Sequence, residues 1–249
     1  MSSKILVANW KMNGSLDIFD SYLNDLQNGY DFSNTQLIIA PPFPYLNFIK
    51  QKIIFEPICV AGQAAVLWND GAKTGDVNCR ILKDVGCDFV ILGHSECRIN
   101  NTFNDGIASD TVKSALKNNL NIILCVGEEI ISERSDEIII EQLMSGIGEV
   151  DKKHSKSIII AYEPVWAIGT GITPTAEQVL QKKQIIYAVL HSLGFVDTKI
   201  IYGGSVTPEN AQYFITNAQI DGFIVGKACM KADSLKELLK YVDYAANLQ

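Results

Sequence analysis

The sequence predicts an α/β chain closed as a single (β/α)8 TIM barrel, on three observations. Eight short apolar runs rich in β-branched residues recur along it, continuous rather than alternating, as parallel strands buried on both faces require. Longer segments, several with a helical period, separate most of them. The chain has 249 residues, close to the roughly 250 that eight β/α units fill. No Pro/Ser-rich linker, charge run or low-complexity tract marks a boundary, so 1–249 reads as one domain. A doubly wound open sheet is the alternative, because alternation alone does not demonstrate closure.

The first run spans 5–8, and Leu16, Phe19, Leu23 and Leu26 behind it fall on one helical stripe. Runs at 37–40, 58–61, 89–92, 122–126 and 158–162 supply strands two to six. Before the seventh, at 199–202, Thr175 and Gln178 form a capping-box pattern, Val179, Lys183, Ile186 and Leu190 suggest a stripe, and Gly194 reads as the stop. Pro208 fits a first helical turn. The eighth run is 223–225, and Ser234 with Glu237 reads as a second capping box ahead of the last helix.

Composition narrows the function. With 28 acidic against 21 basic residues the net charge is −7, the wrong sign for coating nucleic acid or an anionic membrane, so neither partner is expected and a bound phosphate must be captured locally. No apolar stretch reaches the 18 or more residues of a membrane span, and no signal peptide precedes the first strand, which predicts a cytoplasmic protein. The six cysteines show no C-x-x-C spacing, and Cys59 and Cys125 lie inside apolar runs; they read as reduced and structural. His94, His154 and His191 lack ligand spacing, so no metal is expected. The glycine-rich stretches fail the Walker A and dinucleotide patterns and no G-x-S-x-G occurs, which leaves acid/base chemistry with no cofactor.

In a barrel, functional groups gather at the C-terminal ends of the strands. Asn9 and Lys11 follow strand one, Gln63 strand three, His94 and Glu96 strand four, and Glu163 strand six. Gly203, Gly204 and Ser205 follow strand seven, and Gly226 and Lys227 strand eight. Taken singly, Lys11 reads as a solvated loop lysine, Glu96 as a helix cap and His94 as a core histidine. Their convergence on one rim favours catalysis, because a carboxylate at the end of an apolar strand costs burial energy unless it is paired or used. The glycines suit backbone N–H groups that approach an anion closely.

Four ordered motifs then carry a family resemblance over essentially the whole chain. Asn9-Trp10-Lys11-Met12-Asn13, Gly93-His94-Ser95-Glu96, the stretch from Ala161 through Glu163 to Gly171, and Tyr202-Gly203-Gly204-Ser205 each follow a strand. Together they resemble the triosephosphate isomerase family, which also serves as a general example of acid/base tuning and lid closure. The resemblance implies interconversion of dihydroxyacetone phosphate and glyceraldehyde 3-phosphate through an enediolate, within glycolysis and gluconeogenesis. Glu163 would be the base, neutral His94 would polarise the carbonyl, and Lys11 would supply positive charge. Asn9 would hydrogen-bond the substrate, and Glu96 would support the network. Phosphate would rest on N–H groups of Gly169, Ser205, Gly226 and Lys227. Pro164, Val165, Trp166, Ala167, Ile168, Gly169, Thr170 and Gly171 would form the lid. The 66–78 loop, with Thr74, would cross to a second copy in a homodimer.

The chain departs from the family pattern in three places. Gly226-Lys227 replaces two adjacent glycines, which would cost about 1–2 kcal/mol if Lys227 had to adopt a left-handed backbone. Cys97 stands where arginine is common, ahead of a longer stretch before Phe103, and Ala64 stands where asparagine is usual. The last two lie at the expected dimer contact. Two competing readings are another isomerase or lyase acting on a phosphorylated carbon chain, and a catalytically weak barrel kept as a binding scaffold.

Overall fold

The strands hydrogen-bond in sequence order, each parallel to the last, and close β8 against β1 into a barrel. This computed structural model describes residues 4–28, 34–54, 58–68, 70–168 and 170–247, the side chains of 246 and 247 excepted. The strands are β1 Lys4–Asn9, β2 Thr35–Ala40, β3 Ile58–Gly62, β4 Phe89–Leu92, β5 Asn121–Val126, β6 Ile158–Tyr162, β7 Lys199–Tyr202 and β8 Gly222–Val225. Around them run α1 Leu16–Gln27, α2 Leu46–Lys52, α3 Cys79–Asp84, α4 Ser95–Ile99, α5 Asp105–Lys117, α6 Ser135–Ile147, α7 Ala176–Ser192, α8 Pro208–Asn217 and α9 Ala232–Asn247. Closure is the observation that excludes the open sheet.

The period of two along each strand divides the apolar residues between two cores. Ile5, Val7, Ile38, Ile91, Ile123, Cys125, Ile159, Ile201 and Ile224 fill the barrel interior. Their neighbours Leu6, Leu37, Ile39, Val90, Leu92, Leu124, Ile160 and Phe223 pack outward against the helices. Because both faces are covered, every strand reads as an unbroken apolar run. Burial of this kind contributes about 25 cal/mol per Å² of apolar surface, so the barrel is the principal source of stability.

Chain turns at the bottom of the barrel repeat one device. After α3, α5, α7 and α8, the residues Gly86, Asn119, Gly194 and Gln219 take positive φ. The α7 end is a complete Schellman motif, with Phe195 N–H donating to Leu190 O at 2.8 Å and Gly194 N–H to His191 O at 3.0 Å. At its other end the capping box forms as expected, Thr175 Oγ1 accepting from Gln178 N–H and Gln178 Oε1 from Thr175 N–H.

Two local expectations are corrected. Leu16 is 52% exposed, and the buried stripe of α1 is Phe19, Tyr22, Leu23 and Leu26; Leu16 is the first helical residue, beside the Ser15 cap, and falls off the face that meets the barrel. Ser234 is not a cap, because α9 begins at Ala232 and Leu235 N–H already donates to Lys231 O at 3.0 Å. Among the described residues no helix is long and apolar enough to cross a membrane.

Candidate active site

One cleft of about 760 Å³ opens at the C-terminal ends of the strands and is lined by Asn9, Lys11, His94, Glu163, Ile168, Gly203, Gly204, Ser205, Gly226 and Lys227 among others. It gathers every substrate-contacting residue expected from the sequence except Gly169, which lies outside the described residues.

Glu163 is placed by the sheet itself. Its N–H continues the β5–β6 ladder to Val126 O at 2.8 Å, which fixes its backbone just past the strand. The side chain is 3% exposed, and its Oε2 accepts from Ser95 N–H at 2.9 Å while Oε1 stands 3.3 Å from His94 Nε2. A Cβ on Gly203 would come within 2.9 Å of Glu163 Cγ and 2.7 Å of Ile224 Cγ2, so only glycine lets the strand-seven loop approach the carboxylate this closely. Cys125 lies on the barrel floor beneath; burial, and then the Glu163 carboxylate, push its thiol well above its ordinary range.

His94, 7% exposed, is oriented from both sides. It is the N-cap of α4, its Nδ1 accepting from Glu96 N–H at 3.3 Å. An accepting Nδ1 carries no proton, so the donor of a neutral ring is Nε2, the nitrogen 3.3 Å from Glu163 Oε1. Gly93 before it has φ +70° and close neighbours in Cys125 O and the Phe103 ring, and the Arg98 guanidinium bonds back to Gly93 O at 2.9 Å. Arg98 also reaches Asp105 at 2.7 Å and lies over Phe103. Arginine support for this segment therefore comes from Arg98, next to Cys97.

Lys11 holds a left-handed backbone, φ +49°, without being glycine. Such a conformation costs on the order of 1–2 kcal/mol and persists only where neighbours determine it. Here Asn9 Oδ1 accepts from Lys11 N–H at 3.1 Å, and Gln63 Nε2 donates to Lys11 O at 2.9 Å and Ala40 O at 2.8 Å. The ammonium meets Glu96 Oε1 at 2.8 Å. Glu96 thus orients Lys11 through its side chain and His94 through its backbone.

Lys227 opens a 3-10 turn, Lys227–Cys229, after Gly226. It is not among the positive-φ residues, so the strain expected there is absent. The turn conformation keeps φ negative, and lysine fits it.

A carboxylate unnoticed in the sequence stands behind the 164–171 segment. Glu128 is 1% exposed, and its Oε1 accepts from both Tyr162 Oη and Trp166 Nε1 at 3.0 Å. Burial, and then Glu128, hold the Tyr162 hydroxyl protonated far above the ordinary phenol range, which keeps it a donor. Val165 N–H adds a bond to Glu128 O at 3.1 Å. Glu128 stands two residues beyond the C-terminal end of β5. Farther along, Val165–Ala167 forms a 3-10 turn, Ala167 O accepts from Ser205 Oγ at 3.3 Å, and 170–173 are exposed.

Beside the cleft, Thr74 sits exposed at the tip of the 66–78 loop, whose base is tied by Asp70 to Asn78 at 3.1 Å and Arg80 at 2.9 Å. Next to it an apolar recess of about 230 Å³ is lined by Phe43, Ala64, Val66, Val77, Cys97 and Phe103.

The family model described as triosephosphate isomerase matches residues 4–242. Curated relatives bearing the name triosephosphate isomerase include a Yarrowia lipolytica protein, 41% identical over 91% of this chain and 93% of the relative. One from Flavobacterium psychrophilum is 37% identical over 94% and 96%, and one from Taenia solium 36% over the same shares.

Proposed function

This chain belongs to the triosephosphate isomerase family, and on that footing we propose that it interconverts dihydroxyacetone phosphate and D-glyceraldehyde 3-phosphate with Glu163 as the base. Glu163 takes the proton from the carbon beside the carbonyl and returns it to the neighbouring carbon, by way of an enediolate. His94, protonated at Nε2, donates to the carbonyl oxygen and shuttles the hydroxyl proton. Lys11 stabilises the developing oxyanion and Asn9 binds the substrate. The observation that carries the reading is the buried Glu163–His94 pair at 3.3 Å, opening into the cleft that also holds Lys11.

Phosphate rests on the N–H groups of Gly169, Ser205, Gly226 and Lys227, a mode of capture suited to a chain of net charge −7. The lid, from Pro164 through Gly171, closes over the intermediate to exclude water and prevent phosphate elimination. The chain acts as one domain, in the cytoplasm, within glycolysis and gluconeogenesis, and needs no cofactor. It works as a homodimer in which Thr74 of each copy enters the recess beside Cys97 of the other; the exposed loop tip and apolar recess support this pairing.

The experiment is a coupled assay with glyceraldehyde 3-phosphate on the purified chain and its Glu163→Ala variant, with light scattering in the same buffer. Loss of the base is expected to lower turnover by about 10²–10⁴-fold with the fold intact, and scattering to report two copies. Near-normal turnover in the variant would refute the base assignment, and a monomer would refute the pairing.

A further inference from the structure

Besides Lys11, two exposed lysines, Lys227 and Lys231, line the cleft. Lys11 is committed to Glu96 at 2.8 Å, and the carboxylates of Glu163 and Glu209 line the same cleft. The molecule as a whole carries −7, so an incoming phosphate approaches through an unfavourable field. Lys227 is exposed, borders the cleft and has no carboxylate within ion-pair distance among the described residues. A Cβ on Gly226 would stand 3.4 Å from Lys11 Cε, an ordinary packing distance, so Gly226 lies beside the Lys11 stem. Lys227, the next residue along the chain, lines the same cleft.

We propose that the Lys227 side chain is an electrostatic capture residue for the phosphate dianion of the substrate, in addition to whatever its backbone N–H contributes. The inference rests on the function proposed above and deepens it. Being unpaired and at the mouth, Lys227 lowers the barrier to encounter rather than the barrier to proton transfer.

The test compares wild type, Lys227→Met and Lys227→Arg in steady-state kinetics with glyceraldehyde 3-phosphate, from low to physiological ionic strength and above, with inorganic phosphate as a competitive inhibitor. In Lys227→Met, KM and the phosphate inhibition constant are expected to rise about 3- to 10-fold at low salt, with a flatter salt dependence and a smaller change in kcat. Lys227→Arg, which keeps the charge, should recover most of the affinity and salt dependence lost in Lys227→Met. Lys227→Met with wild-type KM and salt slope, or a loss confined to kcat, would overturn the proposal. If the wild type turned over no triose phosphate, the function proposed above would fail; charge-dependent phosphate binding, measured by titration, would then still decide the role of Lys227.

Discussion

At the scale of single residues, the buried carboxylate proposed as the base is held by two neighbours. The Glu163 carboxylate accepts one backbone N–H, from Ser95, and faces one ring N–H, from His94. His94 turns Nε2 toward this carboxylate because Nδ1 is occupied by the Glu96 N–H at the start of α4. Nitrogen-15 NMR of the labelled chain at neutral pH is expected to show His94 protonated at Nε2 and bare at Nδ1. His94→Gln should lower kcat by about 10²-fold or more. A doubly protonated ring at neutral pH, or a variant with undiminished kcat, would remove His94 from the role of neutral donor.

At the scale of elements, the strand ends supply the chemistry and the loops hold it, and Glu128 shows how. Its Oε1 joins the last residue of β6, Tyr162, to the 3-10 turn Val165–Ala167 at Trp166, while Oε2 is buried with no partner among the described residues. Glu128→Ala leaves a buried hydroxyl and indole N–H unpaired, expected to cost about 2–3 kcal/mol and to speed amide exchange at 165–168 more than in the barrel strands. Unchanged exchange in that segment would show that Glu128 does not secure it. The strands were readable in the sequence because burial on both faces leaves each as a bare apolar run, and the residues of the candidate site because they break those runs at one end. Glu128 was harder, since in Gly127-Glu128-Glu129 nothing local distinguishes a carboxylate that tertiary packing will bury from its solvated neighbour. Leu16 and Ser234 misled for the complementary reason: which turn of a helix meets the barrel, and where its first turn begins, are settled by packing and not by the local pattern. The backbone at Lys227 likewise depends on the 3-10 turn that follows β8, and no dipeptide reveals it.

At the scale of the whole molecule, the barrel that protects the site also fixes an alkaline limit to stability. Burial raises the pKa of all six thiols, and Cys87 and Cys229 are each pushed from 9.0 to about 12. Below about pH 8 these thiols are protonated in both states and the folded state keeps their full contribution. Between the unfolded and folded values, the unfolded chain ionises while the folded chain holds its protons, so unfolding releases protons and stability falls as pH rises. One pH unit above the ordinary value, each strongly shifted thiol removes about 1.4 kcal/mol. Lys4 and Lys199 work in the opposite direction, because burial lowers their pKa and stability gains as the unfolded ammonium titrates, but they are two groups against six thiols and the phenols of Tyr22, Tyr162 and Tyr202, which burial also raises. The urea midpoint is therefore expected to decline steadily from pH 8 to about 10.5. In Cys87→Ala/Cys229→Ala, neutral-pH stability should be lower from lost packing, and the decline shallower. A midpoint flat across that range, or a double variant that declines as steeply as its parent, would show that the buried thiols do not set the limit.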